Sequence, residues 1–160
     1  MEHYPPSIEP KGLLEDIRWR AVLFGVVVDT VLTIFASGIL LLWAAGPEAS
    51  SFDEEAAAQA VAAALVSPEY LLLSLAVGLL ATLIGAYAGA RRAGTSHVRH
   101  GGWIAVCSAL LGLSLYLLPG AHTEPTPPFW YDAVGLALIL PAGLLGGLVA
   151  AFRNGTVAPE

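Results

Sequence analysis

The stretch Arg20-AVLFGVVVDTVLTIFASGILLL-Trp43 decides the fold. Between its ends run twenty-two residues with a single charge, Asp29. As an α-helix rising ~1.5 Å per residue, that run crosses a hydrocarbon core of ~30 Å with room for tilt. A carboxyl in hydrocarbon is costly unless it faces other helices and finds hydrogen-bond partners there. The small and polar residues of the span follow that logic: Gly25, Asp29, Thr33 and Ala36 fall at i, i+4, i+8 and i+11, on one stripe. Small residues let backbones approach closely, so the stripe is predicted to face neighbouring helices.

Composition extends this reading to the whole chain. Only 12% of the 160 residues are charged and 56% are hydrophobic, whereas soluble domains carry about 25% charged residues. The class expected is all-α: a polytopic membrane protein with four transmembrane helices in a single domain, 1–160. One cysteine, Cys107, excludes an intrachain disulfide and a cysteine-based metal site, and is expected as a small packed side chain. No cofactor, metal or nucleic-acid partner is expected; the lipid bilayer is.

In chain order, residues 1–19 begin with a polar lead containing Pro5, Pro6 and Pro10. Leu13, Leu14 and Ile17 then share one face, which predicts a short helix on the membrane surface. The apolar run after Arg20 is too long for the ~7–15-residue core of a secretory signal, so retention of the segment is expected. The spans are placed at about 20–43, 68–90, 103–118 and 129–152. Ser51-Phe-Asp-Glu54 reads as a capping box before an alanine-rich surface helix at about 52–66, too short to cross. Asp53, Glu54 and Glu55 are there expected to complement the helix dipole rather than bind a cation. Ser67-Pro68-Glu69 supplies an N-cap, a proline at the first helical position and an acid for the second span. In that span Ser74, Gly78 and Thr82 repeat every four residues, as do Ala81, Gly85 and Gly89. An inner loop is expected from Arg91 to Gly102, with Gly94 as C-terminal cap. Ala105, Ala109 and Gly112 offer close packing on the third span, and Pro141 is expected to kink the fourth.

The signs of the charges orient the bundle. Lys11, Arg18, Arg20, Arg91, Arg92, Arg99 and Arg153 are all the bases, and with four spans every one falls on the same side. Glu48, Asp53, Glu54, Glu55, Glu69 and Glu124 fall on the other. The excess of bases on cytoplasmic segments predicts a multi-pass protein of the cell's inner or plasma membrane with both termini inside. Trp19, Trp43, Trp103 and Trp130 stand at span ends, where aromatic belts form. Arg91, Arg92 and Arg99 are expected to contact anionic lipid head-groups, each contributing about 1 kcal/mol near the surface. His97 and His100 in the same loop lack two further ligands for zinc.

Gly85-Ala-Tyr-Ala-Gly-Ala-Arg-Arg-Ala-Gly94 followed by His100-Gly-Gly102 resembles a loose group of uncharacterised small bacterial membrane proteins with four spans. In these a second helix ends in a glycine-rich, arginine-containing turn and a third opens with His-Gly. The resemblance covers residues 85–102 and brings no activity with it. The small multidrug transporters offer a second comparison, having four spans and an essential acid in the first. This chain is longer, carries Asp29 where that family uses Glu, and lacks a counterpart of its aromatic stacking motif.

Counting residues from the bases places Asp29, Thr82 and Ser108 at one depth. Each is nine residues from an arginine (Arg20, Arg91 and Arg99), ~13.5 Å into the core. An intramembrane polar cluster of these three is therefore expected. Asp132 lies twenty-one residues from Arg153, ~31 Å above the inner boundary, too far from Asp29 to form an aspartyl dyad, so no enzyme is expected. A non-catalytic accessory or packing subunit, in a homo-oligomer or a larger membrane complex, is the leading expectation. A proton-coupled small-molecule transporter titrating Asp29 is the alternative. Reporter fusions at residues 50, 95, 124 and 160 test the topology: only 95 and 160 should report cytoplasm, and a cytoplasmic signal at 50 or 124 overturns it.

Overall fold

Helix ends follow from local chemistry. In this computed structural model, which describes residues 16–118 and 126–155, five α-helices and no strand occur among the described residues. They are α1 (Trp19–Ala45), α2 (Glu54–Leu65), α3 (Pro68–Ala93), α4 (His97–Tyr116) and α5 (Phe129–Arg153), with a 3₁₀ turn at Pro47–Ser50. The proline-rich lead, Lys11, Leu13 and Leu14, and Glu124 with its flanking loop from 119 to 125 lie outside the described residues. Ser67 caps α3, its Oγ accepting from the Tyr70 N–H at 3.3 Å, with Pro68 in the first turn. Gly94 ends α3 at φ 72°, a left-handed conformation that glycine adopts without a Cβ clash.

Three expectations are corrected. The cap of α2 is Asp53, not Ser51: Asp53 Oδ1 accepts from Glu55 N at 3.0 Å and Ala56 N at 3.3 Å, while Ser51 Oγ donates back to the Asp53 carbonyl. The acid two residues along sits closer to the free N–H groups and takes them. Residues 16–18 are not helical, so the expected surface helix does not reach α1; Ile17 instead packs against the core. The inner loop is much shorter than Arg91–Gly102. α4 starts at His97, six residues before Trp103, and ends at Tyr116 rather than Leu118. Left-handed Gly94 and Ser96 (φ 46°) make the reversal in three residues. This frees His97–Gly102 to be helical and to pack.

Four of the helices, α1, α3, α4 and α5, are long and apolar enough to cross a membrane. Central α3 packs along α1 on one side and α5 on the other, and α4 closes against all three, while α1 and α5 do not touch. Lipid tails are as apolar as leucine, so burying leucine gives helices little reason to associate; close backbone contact does. Each crossing is accordingly built on glycine. At α1–α3, a Cβ on Gly85 would stand 2.7 Å from both Asp29 Cβ and the Gly25 carbonyl oxygen. At α4–α5, a Cβ on Gly143 would meet Ala105 Cβ at 2.5 Å and the Gly101 oxygen at 2.7 Å. At α3–α5, a Cβ on Gly146 would collide with the Leu83 carbonyl and lie 2.9 Å from Ala86 Cβ. Ile104 of α4 is fully buried, and its Cδ1 occupies the space that side chains on Gly25 and Gly89 would take.

The packing is uneven along the bundle. Apart from Ala45, buried residues of α1 run from Ala21 to Asp29; those of α4 run from His97 to Ala105 and those of α5 from Ala142 to Ala151. From Leu110 to Leu118 every residue is exposed. The α5 helix is uninterrupted across Pro141, and its buried face begins at the next residue. Exposed Phe35, Ile39, Leu117 and Leu136 would be a liability in water and are the expected surface in lipid.

Gly85→Leu should abolish the folded, monodisperse species in detergent. Gly112→Leu, where a Cβ would meet nothing within 4 Å, should leave thermal melting unchanged. Equal behaviour of the two variants would refute the crossing.

Candidate functional site: the intramembrane polar cluster and the arginine end

Asp29 is 5% exposed, at the point where α1 presses on Gly85 of α3. Its Oδ1 accepts from Thr82 Oγ1 across the α1–α3 contact at 3.2 Å. One turn along its own helix, Thr33 Oγ1 approaches the same oxygen at 3.5 Å, the outer limit for such a bond. From α4, Ser108 Oγ is within interaction range of the carboxyl. It does not reach bonding geometry and is buried without a hydrogen-bond partner. Three helices thus direct oxygen atoms at one carboxyl, with one firm interhelical bond. Thr33 belonged to the stripe read from the sequence but not to the expected cluster.

Asp132 stands apart. It is exposed in the first turn of α5, next to Tyr131, whose hydroxyl pairs with Ser74 Oγ of α3 at 3.1 Å. Ser74 and Thr82 are eight residues apart on α3, ~12 Å along the axis. No groups of three or more His, Cys, Asp or Glu able to hold a metal occur among the described residues.

Two histidines, read from the sequence as loop residues, lie inside the bundle. His100 is fully buried, and its Nε2 accepts from the backbone N–H of Arg18 at 3.0 Å. The ring is therefore neutral, with the proton on Nδ1, which donates to the Ser96 carbonyl at 3.0 Å. His97, 3% exposed, pairs through Nε2 with Asn154 Nδ2 at 2.8 Å. One end of α4 thereby grips the start of α1 and the end of α5. The available signal was a helical face: His97, His100, Gly101, Ile104 and Ala105 at i, i+3, i+4, i+7 and i+8.

The described bases gather at this same end, where Trp19 and Trp103 meet edge-to-face at 5.7 Å. The three arginines of the expected lipid contact have different partners. Arg92 lies over the Phe24 ring at 4.7 Å. Arg91 donates from Nη1 to Tyr87 Oη at 3.1 Å. Arg99 is half-buried beside His100. Arg153, from α5, also donates to Tyr87 Oη, at 3.2 Å. A shallow cleft at this end is lined by Arg18, Trp19, Arg20, Ala21 and Arg92.

No protein-family model, curated protein or solved structure matches this chain. Its chemistry is carried by its own residues.

Thr82→Val should cost about 0.6 kcal/mol, the mean for an interhelical bond in a membrane protein. Asp29→Asn should stay close to the parent, keeping an acceptor, and Asp29→Leu should lose more because it leaves the buried Thr82 hydroxyl without one. Reversible unfolding in mixed micelles measures all three, and an Asp29→Leu protein as stable as Asp29→Asn would sink the cluster's structural role.

Proposed function

We propose that this chain is a non-catalytic accessory or packing subunit of the cell membrane, with both termini in the cytoplasm and α2 on the outer surface. The observation that carries this reading is the setting of Asp29. A Cβ on Gly85 would meet Asp29 Cβ at 2.7 Å and Asp29 N at 2.9 Å, so two helix backbones are in contact where a carried solute would need space. The acid joins α1 to α3 through Thr82. Further support comes from small residues that the bundle leaves open: Cβ atoms on Gly38, Gly78 and Gly112 would meet nothing within 4 Å. These offer close approach to a neighbouring helix, of a second copy or of a larger assembly.

One observation favours a proton-coupled transporter instead. The unpartnered, buried Ser108 hydroxyl beside Asp29 could exchange hydrogen bonds if the acid gained and lost a proton. Mild-detergent purification with mass spectrometry, followed by proteoliposome flux assays, separates the two readings. The accessory role expects a stoichiometric partner or self-assembly, and full function in Asp29→Asn. Proton-driven uptake that disappears in Asp29→Asn would replace that role with transport, because Asn cannot titrate.

A further inference from the structure

We propose that Arg91, Arg153 and Tyr87 form a binding site for a phosphate group, carried by an anionic membrane lipid at the arginine end of the bundle. The two guanidiniums come from the ends of different helices, sixty-two positions apart in the chain, and converge on one oxygen. Both also lie 6.0 Å from the centre of the Tyr87 ring. Singly, each arginine complements the partial negative charge of its own helix C-terminus. That effect acts within one helix and does not account for two like charges meeting at one atom.

The hydrogen-bond inventory points to an anion. A phenol oxygen has two lone pairs and one proton. Arg91 and Arg153 take the lone pairs, which leaves the Tyr87 O–H to donate outward. Each guanidinium has five N–H donors and uses one on Tyr87. Both arginines are exposed, and neither forms an ion pair with a carboxylate among the described residues. A tetrahedral oxyanion between them would accept from both forks and from the phenol, and would relieve the repulsion between the two cations. The depth also fits. Trp19 and Trp103 mark the interface at this end, and lipid phosphates lie just outside such a belt. The sequence expectation of head-group contact by Arg91, Arg92 and Arg99 had neither Arg153 nor Tyr87 in it. The proposal rests on the reading that the long helices span a bilayer.

Native mass spectrometry of the delipidated full chain, titrated with phosphatidylglycerol, tests it. Arg91→Gln and Arg153→Gln should each lower the first lipid-binding constant about five-fold, and the double variant about twenty-five-fold, because one phosphate accepts from both guanidiniums. Tyr87→Phe should weaken the same first site. Arg20→Gln, which removes the same charge at the same end, should leave it unchanged. Equal losses in Arg20→Gln and Arg153→Gln would replace the site with diffuse attraction, and unchanged binding in the double variant would overturn it. Displacement of the lipid by millimolar inorganic phosphate would identify a soluble phosphate compound as occupant and overturn the lipid assignment. Failure of the membrane reading shows separately, as extraction of the chain from membranes by alkaline carbonate.

Discussion

Backbone-to-backbone contact at glycine is the constraint on which the rest of this structure depends. A soluble bundle can rely on expelling water from leucine; a bundle in hydrocarbon gains little that way and must fit its helices together. Three crossings, at Gly25 with Gly85, Gly101 with Gly143, and Gly146 with Ala86, leave no room for a further carbon atom. The bulk needed to fill the middle comes from a neighbour: Ile104, reaching from α4 into the space beside Gly25 and Gly89.

Close approach brings polar groups with it, because helices that touch at glycine also present whatever stands one turn away. Asp29 is one turn from Gly25 on α1, and Thr82 is three residues from Gly85 on α3, so the crossing that joins the helices also joins the acid to its donor. The same relation holds at the arginine end, where His97 and His100 lie one turn or less from Gly101. There they satisfy a free N–H before α1 and the Asn154 side chain after α5. These bonds fix rotation and depth more than they add stability, since interhelical hydrogen bonds in membranes are individually modest.

The two ends of the bundle are differently built. The arginine half is tightly packed, clasped by histidines and rimmed with guanidinium groups; the other half leaves α4 exposed from Leu110 to Leu118 and much of α5 uncovered. Such a division ties the helices together at the arginine end and leaves helix faces uncovered at the other. It fits less well with a carrier whose working acid has room around it, since Asp29 belongs to the packed half.

The sequence by itself determined the four long apolar helices, the gathering of the described bases at one end of the bundle, and the caps at Ser67 and Gly94. Each is a local property: the length of an apolar run, the sign of a side chain, the geometry of one turn. Residue counting also put Asp29, Thr82 and Ser108 at one depth, because α-helical rise is nearly constant. Only the tertiary structure decided which helix meets which, since glycine stripes on α1, α3, α4 and α5 are interchangeable as sequence. It decided that α4 begins at His97, because a left-handed Ser96 and a glycine contact with α5 outweigh the loop-like composition of Arg91–Gly102. And it brought Arg153 to Tyr87 and Arg91, a pairing set by how α5 lies against α3 and carried by no local pattern in the chain.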